Sequence, residues 1–444
     1  MTSDDPNRRS PPGAALDPAP PASPSRRAWV VALAGMVSLA VAMGIGRFAF
    51  TPLLPMMLGD QVIDLQGASW LASANYLAYV LGALLCTLQP WLWSRIGELP
   101  SLRYSTLVRA GLVATALVTA GMAIPLPASW PSLRAAAGVA SAVMIVFTSS
   151  WCLARLAKLG APSLGGVIFA GPGVGIVLSG LLGMAMVARG WPSGSAWLVF
   201  GVLAAVLGAS VWGVFRGGEE RLSGWRAESP DHGHGRPGGA PDDGRAERCL
   251  LALAYGLAGF GYIVTATFLP VIAREALPGA AVVDLFWPIF GVGVVIGALL
   301  SMRIPVGIDR RHVLGAAYGI QALGIVASLL RPTVAGFAIG SLLVGTPFTV
   351  ITLFALQEAR RLRPSAVASY MGLLTTVYGI GQVIGPPMVA FVIARSGSPG
   401  EGFTHSLAIA ATALAGGAAM HLWMIRRYPV ARMRTVEGGT GRAA

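Results

Sequence analysis

The first residue in this chain that could do chemistry is an arginine inside an apolar run. Arg47 lies in MGIGRFAFTPLLPMM, within the hydrophobic stretch from Trp29 to Leu58. An arginine at the centre of a bilayer-spanning helix costs about 2.5–3.5 kcal/mol on insertion scales, so it either serves a function or snorkels to the interface. The neighbouring Thr51, Pro52 and Pro55 favour an irregular, interior-facing segment, which suits the functional role. A second arginine, Arg134, shares its apolar stretch with Ser141 and Thr148 at intervals of seven, which places all three on one helical face. Asn75 and Tyr79 are four residues apart, as are Tyr378 and Gln382, so each pair also shares a face. Hydrogen bonding between helices is the competing role for Asn75, Tyr79 and Tyr378. Gln382, in GIGQVIGPP, lies where a helix can loosen towards a cavity. No acidic residue falls in mid-span. Two buried guanidinium groups without a carboxylate make a cavity that attracts anions. Its expected lining is Arg47, Thr51, Asn75, Tyr79, Arg134, Ser141, Tyr378 and Gln382.

The elements that must position these side chains are membrane helices. Of the 444 residues 55% are hydrophobic and only 11% charged, with a mean hydropathy of +0.67. The apolar runs number about twelve, from 29–58 to 403–425. They are continuously apolar and rich in Gly and Ala, without the alternation of a barrel strand, so the expected fold class is an all-α integral membrane protein. The net charge of +13 sits on alternate loops: arginines crowd one side, whereas the other carries Arg189, Arg274, Arg331 and Arg395. That bias puts both termini in the cytoplasm of a multi-pass inner-membrane protein. It also argues against nucleic-acid binding, which would need aromatics interleaved with arginines on a soluble surface. Cys86, Cys152 and Cys249 have no paired spacing, so neither a disulfide framework nor a metal site is expected.

The chain repeats itself. Gly46 to Pro55 reads GRFAFTPLLP, and 215 residues later Gly261 to Pro270 reads GYIVTATFLP; at the same offset Gly82-Ala83-Leu84-Leu85 recurs as Gly297-Ala298-Leu299-Leu300. One offset serving two consecutive helices argues for duplicated halves. The expected organisation is a disordered tail (1–28), a six-helix half (29–215), a polar cytoplasmic linker (216–248), a second six-helix half (249–428) and a tail (429–444). The linker contains Asp231, His232, His234, Asp242 and Asp243, but in low-complexity sequence they imply no metal site, and no cofactor is expected.

The strings MGIGRFAFTPLLPMM, ASANYLAYVLGALL, TFLPVIAR and MGLLTTVYGIGQVIGPP together resemble the YbfB/YjiJ-like group of bacterial major facilitator transporters. Arg134-Ala-Ala-Ala-Gly138 is similar to that superfamily's R-x-x-x-G motif, whose arginine is implicated in proton coupling in several branches. The resemblance implies a substrate site near the midplane, between two halves that rock around it. There are departures. The superfamily's G-x-L-a-D-r-x-G-r loop is Pro90-Trp-Leu-Trp-Ser94-Arg95-Ile-Gly97-Glu98 here, with Ser94 in place of the aspartate, which puts the usual gate lock in doubt. The fifth-span antiporter motif is only partly echoed by Gly171-Pro172-Gly173-Val174-Gly175-Ile176.

Asp64, Arg95, Asp284 and Glu358, all at span ends, are the expected gating or coupling residues. The expected function is secondary active transport of a small anionic or polar organic solute by alternating access, by a monomer in the lipid bilayer, with a proton as the candidate coupling ion. Efflux of amphipathic compounds is the alternative within transport, and a membrane-embedded sensor the alternative outside it. No H-E-x-x-H, G-x-S-x-G or paired intramembrane acids support an enzyme.

Overall fold

The computed structural model describes residues 25–96, 103–216, 243–280, 282–305, 307–363 and 367–429. Among them are twelve apolar helical segments long enough to cross a bilayer: α1 Arg26–Gly59, α2 Leu65–Cys86, α3 Tyr104–Gly121, α4 Pro127–Lys158, α5 Pro162–Val187, α6 Ser193–Val211, α7 Gly244–Ala276, α8 Val283–Ser301, α9 Arg310–Leu330, α10 Val334–Leu362, α11 Tyr370–Arg395 and α12 Pro399–Arg427. The chain is a multi-pass membrane protein. Helices α1–α6 pack chiefly on one another, as do α7–α12, and the two groups meet mainly along α2 with α11, α5 with α8, and α1 with α7.

Two boundaries differ from the sequence expectation. Ser25 caps α1 by accepting the Ala28 N–H, so the helix starts inside the expected tail. The helix of α7 begins at Asp243, so residues 243–248, expected in the linker, are its first turns. Those turns are polar, and polarity alone reads as linker; what holds them helical is tertiary, because Glu247 accepts from Arg311 and Arg361. Asp231, His232, His234 and Asp242 lie outside the described residues, as do Gly97 and Glu98.

Helix α1 is interrupted, but ahead of the residues the sequence suggested: Thr51, Pro52 and Pro55 lie in the regular helix that follows the break. Residues Ala40–Ile45 form a π-helical turn, four turn residues follow, and an α-helix resumes at Phe50. The Gly46 N–H reaches back five residues to Val41, and the Thr51 N–H only three, to Phe48. The usual donors are thereby withdrawn from the carbonyls of Ala42 and Arg47, and Pro52 has no N–H to give. In a bilayer such carbonyls must find other partners, and α4 supplies them: Ser141 Oγ donates to Ala42 O (2.7 Å), Arg134 Nη2 to Arg47 O (3.1 Å) and Arg134 Nη1 to Gly46 O (3.2 Å). The repeat in α7 runs through Pro270 without a break. Thr267 stands there at the position of Pro52 and restores an N–H.

Close approach of backbones sets the depth of packing. A methyl group at Gly44 would lie 2.2 Å from Gly175 Cα, and one at Gly138 would lie 2.2 Å from Asn75 O. Gly138 thus brings α4 against α2, where Asn75 Nδ2 donates to Arg134 O (2.8 Å).

Candidate functional site

The break in α1 aims Arg47 across the boundary between the two groups of helices. Its Nη2 donates to Gln382 Oε1 on α11, and Gln382 Nε2 in turn donates to the hydroxyl of Tyr262 on α7 (2.5 Å). The guanidinium stands over the Tyr79 ring at 4.1 Å and the Tyr76 ring at 5.0 Å, both on α2. Tyr378 continues the wall, stacked on Tyr255 (4.5 Å) and Tyr262 (5.9 Å). Arg47 is 2% exposed and Gln382 1%, whereas Tyr79 and Tyr378 are half-buried.

No carboxylate among the described residues pairs with Arg47. Its Nε has no hydrogen-bond partner. The charge is balanced only by an amide dipole and aromatic faces, which stabilise a cation by roughly 0.5–2 kcal/mol each, less than a carboxylate would. The result is a desolvated cation held in place without a counter-charge among the described residues.

The expected lining therefore separates into two groups. Arg47, Tyr79, Tyr378 and Gln382 converge. Thr51 sits beside them but turns its hydroxyl across the boundary to Ala266 O (2.7 Å). Asn75, Arg134 and Ser141, expected in the cavity wall, are spent on backbone carbonyls; Arg134 is 1% exposed and faces the Phe50 ring rather than an open space. Helical spacing put Arg134 and Ser141 on one face of α4, but the broken backbone of α1 occupies that face, and Asn75 is taken up by the α4 backbone instead.

Three of the expected gating residues, Asp64, Asp284 and Glu358, have their partners within their own halves. Asp64 caps α2 through the Gly67 N–H (2.7 Å), and Asp284 joins Arg274 (2.6 Å) across the α7–α8 connection. Glu358 pairs with Arg361 (2.6 Å), and Arg95 is exposed near the end of its helix. Glu358 belongs to a larger cluster that the sequence did not reveal. Arg311 bridges Asp309 (2.7 Å) and Glu247 (3.0 Å) and donates to Tyr428 O (2.7 Å), while Arg361 reaches Glu247 as well. The cluster ties the starts of α7 and α9 to the ends of α10 and α12. Burial alone would raise the Asp309 carboxyl, yet the hydrogen bonds and charge of Arg311 outweigh it and hold Asp309 below the ordinary carboxylate value.

Tyr262, Tyr76 and Thr267 were missed, although the repeat carried a signal for two of them. At the 215-residue offset Arg47 corresponds to Tyr262, Thr51 to Ala266 and Pro52 to Thr267. Two equivalent pairs thus meet: Arg47 and Tyr262 share Gln382, and Thr51 bonds Ala266, whereas Thr267, the counterpart of Pro52, shares a hydrogen bond with Tyr76 of α2 (3.0 Å).

Among protein families, the model described as uncharacterised MFS-type transporter YbfB matches residues 39–422. No curated protein gives a significant match. Among solved structures, a mutant of the nucleoside transporter NupG is similar with a TM-score of 0.67 at 14% identity, over 89% of this chain and 99% of that one. A bacterial homologue of the human lysosomal transporter Spinster, inward-facing and unoccupied, is similar with a TM-score of 0.60 at 14% identity, over 91% and 98%. At such identities the likeness extends to the fold.

Proposed function

Because this chain belongs to the YbfB family of MFS-type transporters, we propose that it is a secondary active transporter that moves a small organic anion, or a polar solute with an anionic group, by alternating access. Its proposed setting is the inner membrane, with both termini cytoplasmic and a proton as the candidate coupling ion. One observation carries the reading: Arg47 is a buried cation at the boundary between the helical groups, with no carboxylate partner among the described residues. An anion would take hydrogen bonds from Arg47 that Gln382 now receives, and so loosen one of the contacts between the halves. The remaining side-chain contacts of this kind, Thr51 to Ala266 O, Tyr76 with Thr267, and Ser73 Oγ to Val383 O (3.0 Å), are neutral. They are located at the level of Arg47 and towards the end away from most arginines, which supports a conformation closed on the outer side.

The aromatic wall favours an anion carried on a flat or apolar body. That observation also supports the second reading, efflux of an amphipathic compound. The test is thermal stability of the purified protein against organic anions, cations and uncharged sugars. A bound ligand at 100 times its Kd adds about 2.7 kcal/mol of stability. Organic anions should stabilise the wild type and leave Arg47→Gln unmoved; a response to cations alone would overturn the proposal.

A further inference from the structure

A second basic site lies far from Arg47, at the arginine-rich end of the N-terminal half. Arg26 and Arg27 on α1, Arg155 on α4 and Arg216 just beyond α6 surround a cavity of about 590 Å³ whose floor includes Val31 and Trp151. All four arginines are exposed, and none makes a hydrogen bond or ion pair among the described residues. Four like charges at one cavity mouth repel one another, so the arrangement favours an anion that bridges them. The apolar floor decides which kind. On α1, Val30 and Leu33 follow Arg26 at intervals of four and three, on the same helical face, and are 46% and 44% exposed. Seven residues of helix span about 10 Å, enough to run through a headgroup region about 5–7.5 Å thick and into hydrocarbon. A free anion would use the arginines and leave this apolar ledge empty. A lipid would use both.

We infer that this cavity is a binding site for an anionic phospholipid, with the headgroup phosphate among Arg26, Arg27, Arg155 and Arg216 and an acyl chain along Val30 and Leu33. The positive-inside bias places this end in the cytoplasmic leaflet, where anionic headgroups face it. The lipid would pin the start of α1 to α4, the helices that meet again at the α1 break.

The experiment measures thermal stability of detergent-purified protein titrated with phosphatidylglycerol, phosphatidylcholine or inorganic phosphate. Phosphatidylglycerol should stabilise the wild type and the other two should not. Each Arg→Gln substitution should weaken the phosphatidylglycerol response roughly five-fold in apparent affinity, and the quadruple variant should lose it. The double variant Arg27→Gln/Arg155→Gln serves if the quadruple variant is recovered poorly. A control neutralising Arg303, Arg360, Arg363 and Arg426, exposed arginines of the C-terminal half, should keep the full response. The inference is overturned if the control loses the response equally, if the double or quadruple variant keeps it, or if inorganic phosphate reproduces it. Organic-anion binding at Arg47 should persist in these variants, so failure of either site is seen separately.

Discussion

If the proposed anion site is correct, Gln382→Glu should lock the transporter and weaken anion binding. Gln382 Oε1 accepts from Arg47 while its amide nitrogen donates to Tyr262. A carboxylate at that position would form an ion pair with a cation that is only 2% exposed. For unit charges about 4 Å apart at an effective dielectric constant near 20, the attraction is about 4 kcal/mol. The substitution forfeits the charge-assisted hydrogen bond of the amide, about 1.5–3 kcal/mol, and reverses the donor that Tyr262 received. The gain is then at most about 1–2 kcal/mol in favour of the joined halves, reduced by the desolvation of the new carboxylate, a shift of up to roughly 5–30-fold towards the closed arrangement. The solute must in addition displace a carboxylate, so its affinity should fall by at least ten-fold. Thermal stability, equilibrium binding and uptake into reconstituted vesicles read these three effects. Gln382→Leu supplies the contrast, since it removes the contact without adding charge: stability should drop while anion affinity stays within a few-fold. If Gln382→Glu binds the anion as well as the wild type, or if both variants behave alike, Arg47 is not the anion's partner.

Arg47→Gln should abolish transport while the protein still folds, and Arg47→Lys should restore part of it, because a point charge without the planar fork can still bind an anion; vesicle uptake and size-exclusion profiles test both. Arg134→Met should cost about 2–5 kcal/mol, since it strands the carbonyls of Gly46 and Arg47. In the Arg47→Gln background it should change anion affinity no further while its stability loss persists, and a double-mutant cycle that finds independent losses of affinity would refute this. Gly138→Val should prevent recovery of folded protein, because its branched side chain meets the Asn75 carbonyl. Asp309 is held below the ordinary carboxylate value, so its ionised form stabilises the fold at all pH values above that value, and the contribution disappears as pH falls through the depressed one. The stability gap between wild type and Asp309→Asn should therefore be constant from neutral pH down to about pH 5 and shrink below about pH 4.

The number of spans was legible in the sequence because it rests on a local signal, apolar length; the prolines beside Arg47 pointed to an irregular segment but not to its place, which is the turns before them. The partners of polar residues were not legible. Spacing by sevens put Arg134 and Ser141 on the correct face of α4, but spacing fixes a face and says nothing about what fills the space before it. A distorted α1 fills that space with unbonded carbonyls, so groups that read as a binding wall became supports for the backbone. Glu247 was hidden for the opposite reason. The first turns of α7 are as polar as a linker, and only Arg311 and Arg361, 64 and 114 residues away in sequence, make them a helix end. Tyr262 occupies the repeat position of Arg47, but only the fold brings the two together, through Gln382.

Charge is distributed so that the halves are stiff and the boundary between them is not. Every ion pair among the described side chains, including Arg274 with Asp284 and the Arg311 and Arg361 clusters, joins helices or turns of the C-terminal half. The N-terminal half is braced instead by Arg134 and Ser141 on α1, and by Asp60, which accepts the Ser193 N–H (2.6 Å). Across the boundary the side chains offer neutral hydrogen bonds, each contributing about 0.5–1.5 kcal/mol net, and one contact from Arg47. Three such neutral bonds sum to about 1.5–4.5 kcal/mol, small enough for a ligand to offset by a modest difference in affinity between the two arrangements. Breaking the buried pair of Arg311 with Glu247 would cost about 3–5 kcal/mol, as much as all three neutral bonds or more. On the proposed reading, a solute that draws Arg47 away from Gln382 acts on the one charged side-chain hydrogen bond across the boundary among the described residues. That is where a difference in binding energy can be turned into motion of one half against the other.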